Sequence, residues 1–111
     1  MADNGDLLEF EWHALRALFS RNGILLPERT RLRLLSRKHT GVGSYTEIEV
    51  KGFSSLIPSE KKFFPLHADV EGLANGVTLI IWPETDASIL LEAVAHDESM
   101  PLAPRIVRFL S

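Results

Sequence analysis

Histidine is the residue type in this 111-residue chain that is best suited to holding a metal ion, and the chain has four. His67 lies two residues before Asp69, and His96 directly precedes Asp97. Neutral imidazoles and carboxylates are common zinc ligands, so the two short motifs could together form a tetrahedral site. Whether they do so depends on how the strands that carry them are paired.

The predicted strand register separates these two histidines. Asn75-Gly76 is a strong signal for a two-residue hairpin turn, because both residues tolerate positive φ. A loop over residues 83–88 then sets Trp82 opposite Ile89, which leaves the histidines at opposite ends of the sheet. Eight residues at roughly 3.3 Å each separate them by more than about 20 Å, too far for one ion. The sequence therefore predicts no metal site and no cofactor.

Asp69 and Glu71 are the carboxylates whose spacing could serve catalysis, since residues two apart on a strand share a face. The sequence shows no neighbour that would perturb either one, and such carboxylates more often form the polar rim of an interface. The chain also has no cysteine and no Gly-x-Ser-x-Gly, His-Glu-x-x-His or Walker motif. These observations favour a non-enzymatic protein.

A basic run extends from residue 29 to residue 38 and could contact phosphates or an acidic partner. The simpler interpretation is a solvated strand whose arginines pair with Glu47 and Glu49 on the next strand. We therefore expect no nucleic-acid partner, since only Tyr45 lies nearby as a stacking group.

The alternative function is a small enzyme or a ligand-binding protein. Its pocket would lie between the sheet and the apolar loop of residues 51–65, because long ordered loops often carry function. His67, Arg33 and Arg37 are the candidate ligand contacts in that case.

One amphipathic helix is predicted near the N-terminus, after a disordered segment at residues 1–5. Its apolar stripe is formed by Leu7, Leu8, Trp12, Leu15, Leu18 and Phe19. Asp6 and Glu9 have the spacing of a capping box, and Asn22-Gly23 supplies the left-handed residue that ends the helix.

Strands are predicted over residues 31–39, 45–50, 77–82, 89–95 and 105–110, with another between residue 66 and the Asn75-Gly76 turn. Leu35 interrupts the alternation of the first strand and indicates a bulge. Pro83 begins a segment, residues 83–86, that is predicted to be loop. One helix followed by hairpins predicts a single α+β domain over residues 1–111, with the helix packed on an antiparallel sheet of four to six strands.

Both faces of this sheet are predicted to be apolar, yet a single helix covers only one. The residues assigned to the helix-covered face are Val70, Val77, Leu79, Ile81, Leu90 and Val94. The opposite face is assigned Ile80, Trp82, Ile89, Leu91 and Ala93, with Asp69 and Glu71 at its rim. An uncovered apolar patch of this kind predicts a homodimer or another protein partner, with Ile80, Trp82, Ile89, Leu91, Asp69 and Glu71 as the interface.

The remaining sequence features set the expected location. The net charge is −3, the N-terminus is polar and acidic rather than a signal peptide, and no apolar run is long enough to span a membrane. We therefore expect a cytoplasmic protein with no membrane association. Its size and layout resemble those of small bacterial immunity or adaptor proteins, and this likeness implies an interaction role without transferring any functional residue.

Overall fold

The computed structural model describes residues 7–52, 63–85, 87–96, 99–101 and 104–110. Helix α1 spans Glu9–Arg21, and the strands are β1 Leu32–His39, β2 Gly43–Val50, β3 Leu66–Val70, β4 Val77–Thr85, β5 Ser88–Ala95 and β6 Ile106–Leu110. The six strands form one antiparallel sheet in the order β1-β2-β5-β4-β3-β6. The predicted fold class, α+β with one helix on an antiparallel sheet of four to six strands, is confirmed.

The N-cap of helix α1 lies two residues after the predicted one. Leu8 is the residue before the helix, and its backbone N–H donates to the Glu11 carboxylate at 2.8 Å, which satisfies one of the otherwise unpaired N–H groups. Asp6, the predicted cap, lies outside the described residues. The apolar stripe is rotated relative to the prediction: Leu15 and Phe19 are fully buried, as expected, but Leu8 and Trp12 lie half-buried at its border.

The C-terminal end of α1 is held by its own turn and by a distant segment. Gly23 adopts a φ of +71°, as predicted for the left-handed residue that ends the helix. The buried Asn22 amide donates to the Phe64 carbonyl at 3.2 Å, and its oxygen accepts from the Phe64 N–H at 2.7 Å. This pair of bonds ties the chain entering β3 to the end of the helix.

Strand β1 contains a bulge, and strand β4 is longer than predicted. The predicted bulge at Leu35 is confirmed, because the β1–β2 register shifts between Leu34 and Ser36. The predicted loop after Trp82 is wrong, since β4 continues through Pro83 to Thr85. Among the described residues, the pairing of β3 with β4 extends only as far as Leu79. Pro83 therefore lies in a part of β4 that is paired with β5 alone, where a missing backbone N–H can be tolerated.

The β3–β4 register also differs from the prediction. The connection is not a two-residue turn: β3 ends at Val70, and Ala68 lies opposite Val77. Gly72 and Gly76 both have positive φ, and a Cβ on Gly76 would lie 2.5 Å from the Ala68 carbonyl oxygen. The wider connection moves β3 by six residues along β4 relative to the expected pairing.

The β4–β5 register is displaced by one residue. Trp82 lies opposite Leu90 rather than Ile89, because β4 has an irregularity between Pro83 and Thr85 that the predicted loop did not allow for. A shift of one residue moves every side chain of a strand to the other face. The two faces of β5 are therefore exchanged relative to the prediction.

The hydrophobic core formed by the described residues lies between α1 and the sheet. Its largest fully buried side chains are Leu15, Leu18, Phe19, Ile48, Leu79, Ile81, Ile89 and Leu91. In the part of the chain that is described, no helix has the length and apolar character needed to cross a membrane.

Candidate functional site

We call the surface of the sheet opposite α1 the open face. Trp82 on β4 and Tyr45 on β2 are its exposed aromatic side chains, with exposed fractions of 49% and 38%. Leu90 lies opposite Trp82, Ile80 lies opposite Glu92 and Val94 lies opposite Thr78, and all three apolar side chains are half-buried. The open face is therefore apolar in part and accessible at its aromatic residues.

Glu92 on β5 joins these two aromatic residues. The Trp82 indole N–H donates to the Glu92 carboxylate at 2.9 Å. The Tyr45 hydroxyl donates to the same carboxylate, and this bond to an anion raises the pKa of the Tyr45 phenol. We call Tyr45, Trp82 and Glu92 the aromatic–carboxylate cluster. It spans the three central strands, because β5 lies between β2 and β4.

The charge on the open face is divided between the centre and the edges of the sheet. The three central strands contain no Lys or Arg. At the edges, Arg33 on β1 donates to Glu49 at 2.9 Å and lowers the pKa of that carboxyl, and Arg108 on β6 lies 2.6 Å from Asp69. Within the described residues, Glu92 forms no ion pair and accepts hydrogen bonds only from neutral groups. The acidic centre thus retains an uncompensated carboxylate.

The expected separation of His67 and His96 is wrong. Their ring centroids lie 6.5 Å apart, and both rings hydrogen-bond to the Thr78 hydroxyl, at 3.0 Å and 2.8 Å respectively. The six-residue displacement of β3 explains the difference, since it carries His67 along the sheet toward the end where His96 follows β5. Among the described residues, no group of three or more His, Cys, Asp or Glu side chains is arranged to hold a metal ion.

The predicted interface residues divide between the two faces. Ile80, Trp82 and Asp69 lie on the open face, as expected. Ile89 and Leu91 are instead 0% and 1% exposed in the core beneath α1, together with Ala93. Leu90 and Val94, assigned to the helix side, lie on the open face, and Glu71 follows β3 in a turn. The one-residue displacement of β5 accounts for the exchanged residues.

The candidate ligand contacts are not brought together. Arg33 and His67 share the open face, but β1 and β3 are separated by three strands, or roughly 20 Å. Arg37 projects to the opposite face and binds Glu11 on α1. The predicted pocket beneath the loop of residues 51–65 lies largely outside the described residues, which omit 53–62.

The sequence did not identify a buried polar network on the helix side. Glu11 is 2% exposed and accepts bonds from Arg37 Nε at 2.6 Å and from the Thr46 hydroxyl at 2.9 Å. The available signal was the position of Glu11, which lies among the apolar residues of α1 rather than on its polar side. Glu11 also accepts from the Leu8 N–H, so its buried carboxylate joins α1 to β1 and β2, which indicates a structural role.

A cleft of about 430 Å³ lies between α1 and the segment that enters β6. Glu9, His13 and Arg105 are its charged or titratable lining residues, and the rest of the lining is apolar. Among the described residues that line this cleft, none is a serine, threonine or cysteine. Comparisons with protein-family models, curated proteins and solved structures give no match for this chain.

Proposed function

We propose that this protein is a non-enzymatic interaction module that binds a basic segment of a partner protein on the open face of its sheet. The observation that carries the proposal is the aromatic–carboxylate cluster, in which Glu92 lacks a cation among the described residues and is flanked by exposed aromatic rings. An Arg or Lys side chain from a partner would satisfy the carboxylate and could lie against the Trp82 or Tyr45 ring.

The apolar residues beside the cluster add to this surface. Ile80, Leu90 and Val94 are partly accessible, and their burial by a partner would favour binding by about 25 cal/mol per Å² of apolar surface. Aromatic residues at the centre of an interface tend to dominate its energetics, and the exposure of Trp82 supports it as the anchor of the proposed contact. We also propose that the protein is cytoplasmic, as expected from its sequence.

The edges of the sheet are less suitable for docking than its open face. β1 has an extra residue at Leu35, and β6 has one at Val107, because Asp69 pairs with Arg108 while Val70 pairs with Ile106. Bulges of this kind disturb the row of backbone groups that an added strand would need. A partner is therefore more readily accommodated against side chains than against a strand edge.

The proposal predicts binding of an arginine-rich peptide in a Glu92-dependent manner. Glu92→Gln should weaken binding roughly tenfold, since it removes the charged acceptor of a hydrogen bond. Isothermal titration with the wild-type chain and the variant measures the difference. The indole N–H resonance of Trp82 should shift on titration, whereas that of Trp12, half-buried beside Arg29, should not.

Glu47→Gln is the matched control, since it removes the same charge from the same face on the adjacent strand β2. If both substitutions weakened peptide binding equally, the effect would be explained by general electrostatic attraction. That result would contradict a specific role for Glu92. An unchanged Trp82 resonance at saturating peptide would place the binding elsewhere.

The homodimer predicted from the sequence is the second candidate function, and the half-exposed Trp82 side chain favours it. The position of Glu92 weighs against it, because a two-fold contact centred on the open face would bring the same carboxylates together from both copies. We therefore expect a chain that stays monomeric at about 100 μM, well above the Kd of a specific dimer. A concentration-dependent dimer in sedimentation, lost in Trp82→Asp, would instead establish self-association.

A further inference from the structure

We propose that His67, Thr78 and His96 form a binding site for a divalent transition-metal ion of the copper, nickel or zinc type. The three side chains come from adjacent parts of the sheet: β3, β4 and the residue that directly follows β5. Thr78 lies directly opposite His67 and opposite Val94, which is two residues before His96. All three side chains therefore project from the open face.

The geometry converges on one point. His67 Nδ1 lies 3.0 Å and His96 Nε2 2.8 Å from the same Thr78 oxygen. A hydroxyl has a single proton, so it can donate to only one of the two rings, and the other ring must donate its own N–H. Two imidazole nitrogens thus converge on one small region of the open face, where a metal ion that bound both rings would replace their hydrogen bonds to Thr78.

The two imidazole rings are accessible to solvent. Asp69 lies two residues from His67 on the same face and is paired with Arg108 at 2.6 Å. The opposite charges of this pair largely offset each other beside the histidines. Strands β4 and β5 contain no Lys or Arg that would repel a cation. Both imidazoles are exposed, so a bound ion would keep water in its remaining positions.

The donor set determines the class of ion. Imidazole nitrogens favour copper, nickel and zinc, whereas magnesium and calcium require several carboxylate or carbonyl oxygens. Two nitrogens and one weak oxygen donor form an incomplete ligand set, so we expect a weaker affinity than that of a closed four-ligand site. Thr78 and Trp82 are four residues apart on β4, or roughly 13 Å, so this site does not depend on the proposed function of the aromatic–carboxylate cluster.

Titration calorimetry of the tag-free chain with nickel and with zinc tests the site. We expect one ion per chain and no binding of magnesium. His67→Ala and His96→Ala should each lower the affinity roughly tenfold or more, because either change destroys the chelate. His13→Ala and His39→Ala remove the two other histidines and should leave the affinity unchanged.

Three results would overturn the proposal. The first is an affinity that falls equally with all four substitutions, which would indicate independent single-histidine binding. The second is a stoichiometry of one ion per two chains, accompanied by metal-dependent dimers in sedimentation. The third is the absence of saturable nickel or zinc binding at millimolar concentration. Both site histidines are exposed, so unchanged circular dichroism of the variants should exclude misfolding as a cause.

Discussion

Replacing Arg37 by methionine should lower the free energy of unfolding by about 3–5 kcal/mol. The Glu11 carboxylate is 2% exposed and is held by Arg37 through both of its oxygens, at 2.6 Å and 2.5 Å. Methionine preserves much of the arginine stem but leaves a charged group uncompensated in the core, where the cost of desolvation is high. Chemical denaturation of the wild-type chain and the variant measures the loss.

A double substitution distinguishes the stability lost with the ion pair itself from the cost of leaving one buried charge without a partner. Glu11→Leu combined with Arg37→Met removes both charges, and it should recover most of the stability because no buried ion is left unpaired. Arg33→Met is the control for an exposed pair, since Arg33 binds Glu49 at the surface, and it should affect stability far less. A small loss in Arg37→Met would mean that Glu11 gains water or another partner when the arginine is removed.

Leu15→Ala should destabilise the protein by about 2–5 kcal/mol, the range for a large-to-small substitution in a core. Leu15 is 0% exposed on the sheet side of α1, so the lost methyl groups would leave a cavity rather than a surface depression. Thermal or chemical unfolding monitored by circular dichroism provides the measurement.

Leu25→Ala is the matched control for this substitution. Leu25 is 83% exposed after the helix, so the same change there should alter stability by less than about 0.5 kcal/mol. Similar midpoints for Leu15→Ala and the wild-type chain would show that the buried side of α1 contributes little to stability.

Local sequence patterns predicted the helix and the strands well, because these elements depend mainly on residues that are close together in the sequence. Alternation in β2 correctly placed Thr46, Ile48 and Val50 on one face, and Leu35 correctly marked a bulge. Gly23 ended the helix as its conformational freedom predicted. In each case, the residue's own geometry decides the outcome.

The candidate site depended on strand register, which the same patterns did not determine. Asn75-Gly76 favours a tight turn, yet the chain uses a wider connection with Gly72 and Gly76 in positive φ. That difference brings together the two histidines that the predicted turn separates. In β5 the alternating set that contains Ile89 is wholly apolar, whereas the set that contains Leu90 also includes Ser88 and Glu92. Alternation therefore favoured the observed face, and the loop assumed over residues 83–88 led to the wrong register.

The strand order has a consequence for folding kinetics. β1–β2 and β4–β5 are local hairpins, but β2 lies beside β5, so Gly43 must find Val94 across half of the chain. A Cβ on Gly43 would overlap the carbonyl oxygen of Ala93, so this junction closes tightly. Pairing of segments so far apart in sequence is slow, because the entropy of loop closure is lost before the contacts form. Stopped-flow refolding should therefore proceed in milliseconds to seconds, with the β2–β5 junction as the step that links two early hairpins.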